Sequence, residues 1–76
     1  MNKTRLSRVI ANMEAQSLEQ IVVTSTSSVY YLTGIHVEPM ERMLALYIHT
    51  SGRCVLYANE LFAIPPQEDL ELLLHT

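Results

Sequence analysis

The chain of 76 residues has few residues of several types, and each shortage excludes a class of protein or site. Cys54 is its one cysteine, so no internal disulfide can form, which favours a reducing compartment. Gly34 and Gly52 are its two glycines, too few for a glycine-rich phosphate-binding loop. Five Lys and Arg against eight Asp and Glu give a net charge of -3, without the basic surface typical of nucleic-acid binding. We therefore expect no nucleic-acid partner.

Long apolar runs are missing as well. No stretch approaches the roughly 20 apolar residues that cross a bilayer. The basic residues near the N-terminus are not followed by an apolar signal-peptide core. We therefore expect a cytoplasmic protein with no membrane partner. Hydrophobic residues nevertheless make up 49% of the chain and charged residues only 17%. This balance argues against disorder and suggests that a second domain or a partner covers part of the apolar surface.

Apolar residues at helical spacing open the chain. Four of them fall on one helical face: Leu6, Val9, Ile10 and Met13. They predict a helix over 2–16, with Asn2 or Thr4 as its N-cap. The run 21–24 that follows is β-branched without alternation, which predicts a strand buried on both faces.

A short helix is predicted after this strand. Residues 25–28 all carry hydroxyl side chains. They are expected to form a loop and to cap the helix that follows. Residues 29–33 form one or two helical turns, and Gly34 ends them. Of the adjacent Tyr30 and Tyr31, we expect one ring to pack inward and the other to be free at the surface.

An antiparallel hairpin is predicted for the middle of the chain, with strands over 43–49 and 54–58 and a turn over 50–53. A short helix is expected over 59–63, ahead of two prolines. The last residues, 70–75, form either a strand or the start of a helix, and we favour the strand. Because the chain stops inside this apolar run, we expect residues 1–76 to be a single domain that is a fragment of a longer protein.

The polar segment 35–42 lies at the mouth of the strand–helix unit and is the first candidate for a functional surface. It contains His36, Glu41 and Arg42. A histidine exchanges protons near neutral pH, and an arginine binds a carboxylate through two hydrogen bonds. The alternative is a solvated loop whose ion pair contributes little. No nucleophile–base arrangement and no metal-ligand spacing occurs, and His49 and Cys54 suit structural roles.

Three segments carry a family resemblance. They are Ile21-Val22-Val23-Thr24-Ser25, Tyr30-Tyr31-Leu32-Thr33-Gly34 and Glu41-Arg42-Met43-Leu44-Ala45-Leu46. Following a basic amphipathic helix, they resemble the N-terminal domain of the creatinase, prolidase and aminopeptidase P proteins over about residues 3–63. One departure is Ser28, where many relatives carry asparagine.

The resemblance implies an α/β fold with a small mixed β-sheet flanked by helices and a ribonuclease H-like motif. It implies that 1–76 is an incomplete part of the N-terminal, non-catalytic domain of a longer Xaa-Pro peptidase. In such proteins a C-terminal domain holds two divalent metal ions (manganese, cobalt or zinc) that activate water to cleave the bond before proline. This chain alone is then expected to have no metal site and no peptidase activity.

By position, the resemblance makes 35–42 a substrate-gating loop. His36, Glu41 and Arg42 would help to recognise the substrate or close the site, and Tyr31 would line its edge. The implied partners are the catalytic domain of the same protein, a second copy in a homodimer, and a proline-containing peptide. One alternative is a non-catalytic protein- or peptide-binding module of the same fold. Another is a different small α/β domain whose ligand is unrelated to peptides.

Overall fold

The computed structural model describes residues 1–36, 44–59, 64 and 67–75. In chain order the elements are α1 (Lys3–Ala15), β1 (Gln20–Val23), α2 (Thr26–Thr33), β2 (Leu44–His49), β3 (Cys54–Asn59) and β4 (Glu71–His75). The predicted first helix, the hairpin and the terminal strand are confirmed. Asn59 closes β3, and the remainder of the short helix predicted over 59–63 lies outside the described residues.

The four strands form one mixed sheet in the order β1-β2-β3-β4. Strand β2 pairs antiparallel with β1 and with β3, whereas β3 and β4 are parallel. Both helices pack on one face of this sheet, so the predicted α/β class with a small mixed sheet is confirmed. A parallel strand cannot follow its neighbour through a tight hairpin, which is why a longer connection separates β3 from β4.

Helix α1 begins and ends as its sequence dictates. The side chain of Asn2 accepts a hydrogen bond from the Arg5 backbone N–H at 3.0 Å, so one of the two predicted caps is confirmed. No glycine ends the helix, and the chain turns at Ser17 with a positive φ of 59°. Of the four apolar residues on its predicted inner face, Met13 is buried and the others pack against the core.

The core lies between the two helices and the sheet. Leu46, Ile48 and Leu56 on the central strands are fully buried, and Val29 of α2 packs with them. Along β2 the buried residues alternate with less buried ones. On β3 the neighbouring Val55, which faces the other side of the sheet, is also buried. Burial of this apolar surface is the main source of stability.

Strand β1 corrects one expectation. It was predicted to be buried on both faces, and this was wrong: β1 lies at the edge of the sheet, and Val22 is 61% exposed. Ile21 and Val23 point to the helix-covered face and are half-buried. The β-branched composition indicated a strand correctly, but the position of that strand in the sheet depends on pairing that a local pattern does not contain.

Helix α2 begins at Thr26, earlier than the predicted 29, because Ser25 is its N-cap and accepts from the Ser28 backbone N–H. Thr33 is buried, and its hydroxyl donates to the Val29 carbonyl at 2.6 Å and accepts from the Ile35 N–H at 3.0 Å. The helix then ends at Gly34, as predicted. A buried hydroxyl with both roles filled costs little, so Thr33 has a complete structural explanation.

An ion pair joins the start of β3 to β4 and gives a pH prediction. Arg53 donates to both carboxylate oxygens of Glu71, at 3.0 and 3.2 Å, and these bonds hold the pKa of that carboxyl below its ordinary value of 4.5. A carboxyl with a lowered pKa stabilises the fold above its ordinary pKa, and this stabilisation is lost as the pH falls through the lowered value.

We therefore expect Glu71→Gln to lower the melting temperature slightly at neutral pH, and to have no effect at a pH where the carboxyl is protonated in both states. Because both side chains are exposed, the difference is small and weakens with added salt. Thermal melts of both proteins across this pH range test it. Glu68→Gln is the control, since Glu68 is exposed and forms no ion pair with any described residue. If both substitutions changed the melting temperature equally, the change would come from net charge alone and not from the ion pair.

Candidate functional site

A cleft of about 350 Å³ lies beside α2 and is lined by Thr26, Ser27, Tyr30 and His36. Thr26 and Tyr30 are four residues apart, so the geometry of the helix places them on one side. His36 reaches the same cleft because the chain reverses at Gly34, whose left-handed φ of 75° ends the helix. Two elements of local sequence, the cap and the glycine, therefore set the two walls of the cleft.

The rings of Tyr30 and His36 form the aromatic wall of this cleft. Their centroids are 5.7 Å apart and their planes are inclined by 64°, an edge-to-face arrangement. Both side chains are exposed. The contact limits the orientations of the imidazole while leaving it open to a ligand. The cleft therefore offers hydroxyls and an imidazole for hydrogen bonding, and none of the described side chains that line it carries a permanent charge.

Tyr31 lies on a different side of α2, against α1. The guanidinium carbon of Arg5 lies 4.1 Å from the centroid of the Tyr31 ring, and Arg5 also donates to the Tyr31 carbonyl at 2.8 Å. The expectation that one of the two adjacent tyrosines packs inward was wrong, since each is 48% exposed. The inward side of α2 is occupied by Val29 and Leu32, which leaves both rings at the surface.

The four predicted site residues are therefore placed unequally. His36 lines the cleft, whereas Tyr31 does not. Glu41 and Arg42 lie outside the described residues. The lining residue that sequence reasoning undervalued is Tyr30. Its helical spacing from Thr26 was available as a signal, but the direction in which the chain leaves Gly34 was not.

The contacts of His49 and Cys54 give both residues a structural role. Nδ1 of His49 accepts from the Ser51 backbone N–H at 3.0 Å, and its Nε2 lies 3.2 Å from a carboxylate oxygen of Glu19, so the ring fastens the hairpin turn to the segment before β1. Cys54 is buried, and burial raises the pKa of its thiol, which disfavours the reactive thiolate.

The described residues contain neither a metal-binding cluster nor a membrane-spanning helix. Over 1–36, 44–59, 64 and 67–75, no group of three or more His, Cys, Asp or Glu side chains is placed to hold a metal ion. Neither helix in this part of the chain combines the length and apolarity needed to cross a membrane.

The chain has a curated relative in Staphylococcus aureus. It is 34% identical over 58 residues to an uncharacterized peptidase of Staphylococcus aureus, an alignment that covers 76% of this chain and 16% of that protein. The chain thus spans about a sixth of the length of this curated relative.

Solved structures share the fold. The N-terminal domain of an X-Pro dipeptidase from Streptococcus pyogenes superposes with a TM-score of 0.81 at 19% identity, over 95% of this chain and 56% of that one. A proline dipeptidase from Streptococcus agalactiae gives a TM-score of 0.72 at 20% identity, over 95% of this chain and 58% of that one. Finally, the family model described as the creatinase/prolidase N-terminal domain matches residues 5–68, and the chain therefore belongs to that family.

Proposed function

We propose that this chain is part of the N-terminal accessory domain of a cytoplasmic, metal-dependent Xaa-Pro peptidase, in which it contributes to dimerisation and to capping of the active site. The observation that carries the proposal is the family match over residues 5–68. The proposal is supported by the Staphylococcus aureus relative, which is called a peptidase, and by the structural neighbours, which are called X-Pro or proline dipeptidases.

In the proposal, the metal chemistry lies outside the described residues. Because no three metal-ligating side chains come together among them, they do not fit a metal centre. In the proposal, two divalent ions (Mn, Co or Zn) are held by a C-terminal catalytic domain of the same protein and supply an activated water. The contribution of this chain is recognition of the substrate, without bond cleavage.

The cleft beside α2 is the part of the described chain best suited to recognition. His36 is exposed at its edge and is oriented by the ring of Tyr30. An imidazole and hydroxyl groups can donate to and accept from the amide groups of a peptide. In the proposal the gating loop 35–42 helps to recognise a proline-containing peptide, with Glu41 and Arg42 as its charged groups. The role of Tyr31 at the edge of the site rests on the family resemblance, since Tyr31 does not line this cleft.

The test is a substitution at His36 in the full-length protein. We expect His36→Ala to lower kcat/KM for Xaa-Pro substrates roughly tenfold, which corresponds to the loss of about 1.4 kcal/mol of interaction with the transition state. The melting temperature should stay unchanged, because His36 is exposed. Steady-state kinetics and thermal melts on the same preparations measure the two quantities.

His49→Ala is the matched control, since it removes an imidazole at the hairpin turn, away from the cleft. It should leave kcat/KM unchanged. Unaltered kinetics for His36→Ala would make that residue a solvated loop histidine. A full-length protein that binds Xaa-Pro peptides without hydrolysing them would instead favour the non-catalytic binding module.

A further inference from the structure

The last carbonyls of α2 accept hydrogen bonds from outside the helix. A helix leaves its final C=O groups without intrahelical partners, and its end frays where they stay unfilled. Three consecutive carbonyls are filled here, each by a donor from a distant segment: Tyr31 by the Arg5 guanidinium at 2.8 Å, Leu32 by the Asn2 N–H at 2.7 Å and Thr33 by the Gln67 side-chain amide at 3.0 Å. The start of α1 therefore supports the end of α2.

Arg5 makes two contacts with one residue. Its guanidinium carbon lies 4.1 Å from the centroid of the Tyr31 ring, and one of its N–H groups donates to the Tyr31 carbonyl. A planar guanidinium can stack on a ring and donate a hydrogen bond at the same time, which suits the compact ammonium of lysine less well. Arg5 is half-buried, and a cation–π contact gains strength as it loses water. Arg5 therefore holds both the backbone and the side chain of Tyr31.

The turn of α2 that contains Tyr31 joins the two rings of the cleft. Tyr30 comes directly before it, and the chain leaves the helix at Gly34, whose N–H donates to the Tyr30 carbonyl at 2.8 Å. His36 follows two residues later, and its ring makes the edge-to-face contact with Tyr30. The path from one ring to the other runs through this turn. An opening of the turn would therefore move the imidazole relative to the Tyr30 ring.

We infer that Arg5 is a positioning residue of the cleft, which holds Tyr31 and with it the last turn of α2. Through that turn it keeps the imidazole of His36 against the ring of Tyr30. Arg5 itself does not line the cleft, so it acts on a substrate through His36. The inference rests on the proposed function for its kinetic consequence, and it adds a residue of α1 to the recognition of the substrate.

The ring resonances of His36 in the full-length protein test the inference without a substrate. In protein labelled in its histidine rings, Arg5→Met should shift them, because the imidazole changes its place beside the aromatic ring of Tyr30. His36→Ala assigns these resonances by their loss. Arg8→Met is the matched control, since Arg8 is on the same helix, is exposed and forms no hydrogen bond or ion pair with any described residue. It should leave the resonances unchanged.

Kinetics measure what this position contributes to recognition. Arg5→Met should lower kcat/KM for Xaa-Pro substrates about threefold, less than His36→Ala does, because the imidazole is displaced and not removed. The two losses should not add: in the His36→Ala protein, Arg5→Met should lower kcat/KM no further. Arg5→Lys keeps the charge but loses the planar fork, so its kcat/KM should lie between those of the wild type and Arg5→Met.

Two results would overturn the inference. One is a folded Arg5→Met protein with unchanged His36 resonances. The other is a loss for Arg5→Met that persists in full when His36→Ala has already lowered kcat/KM. If His36→Ala leaves kcat/KM unaltered while Arg5→Met still shifts the His36 resonances, the proposed function fails and the positioning by Arg5 stands. If Arg5→Met does not fold, Arg5→Lys gives the same two measurements.

Discussion

Replacement of Leu46 by alanine should lower the free energy of unfolding by about 2–5 kcal/mol. Leu46 is fully buried on β2, a central strand, with Val23 opposite it on one side and Leu56 on the other. Truncation removes apolar contacts and leaves a cavity that strands paired on both sides cannot close. Because a domain of this size has a total stability of only about 4–11 kcal/mol, this loss is a large fraction of it.

The matched control is Leu74→Ala on β4, where the leucine is 52% exposed. Its effect should stay below about 1 kcal/mol, because most of the removed surface is already in contact with water. Urea unfolding followed by circular dichroism measures both, and equal m-values would show that the same surface is exposed on unfolding. If Leu74→Ala proved as costly as Leu46→Ala, burial of the side chain would not be what decides the cost of these truncations.

Local signals predicted the elements whose causes are local. The cap at Asn2 and the stop at Gly34 each depend on a few neighbouring residues, and both are confirmed. The hairpin formed by β2 and β3 is confirmed for the same reason, with Gly52 at positive φ in its turn. Such features could be predicted because the residue type required is nearly unique at each position.

Positions that depend on distant contacts were harder to predict. The strand over 21–24 was identified, but its place at the sheet edge follows from which strand it pairs with and which face the helices cover. The inward tyrosine was wrong because Val29 and Leu32 already fill the inner side of α2. In both cases the apolar side chain was recognised, and the neighbour that decides its burial was not.

The candidate site divides in the same way. His36 was singled out from its loop, and the structure places it in a cleft. Its contact with Tyr30 could not be predicted, because it depends on the direction the chain takes after Gly34, and no residue type specifies that direction. The roles assigned to Tyr31, Glu41 and Arg42 stay predictions, since they rest on the family resemblance.

The Tyr-Leu-Thr-Gly segment that carries much of the resemblance has a physical explanation for three of its residues. Leu32 enters the core, and Thr33 fills its hydrogen-bonding capacity inside the fold. Gly34 takes the left-handed conformation that ends α2 and directs the chain to His36. This part of the motif is thus the structural support of the cleft.

Replacement of Gly34 by alanine should therefore lower the free energy of unfolding by about 1–2 kcal/mol, the cost of a left-handed conformation for a residue with a Cβ. Apart from its two chain neighbours, no heavy atom of the described residues lies within 4 Å of the position that a Cβ would take at Gly34, so these residues add no steric overlap. For a chain of this size, each kcal/mol shifts the melting temperature by roughly 4–8 °C. Differential scanning calorimetry measures the shift.

Gly34→Asn distinguishes the cost of the left-handed backbone conformation from the effect of adding any side chain at this position. Asparagine tolerates the left-handed region better than alanine does, so its cost should be the smaller of the two. Because Gly34 also directs the chain toward His36, the alanine variant should disturb the Tyr30–His36 contact, which the chemical shifts of the His36 ring protons would report. Equal losses for both variants would indicate that the helix end tolerates neither side chain and that conformation at φ 75° is not the deciding factor.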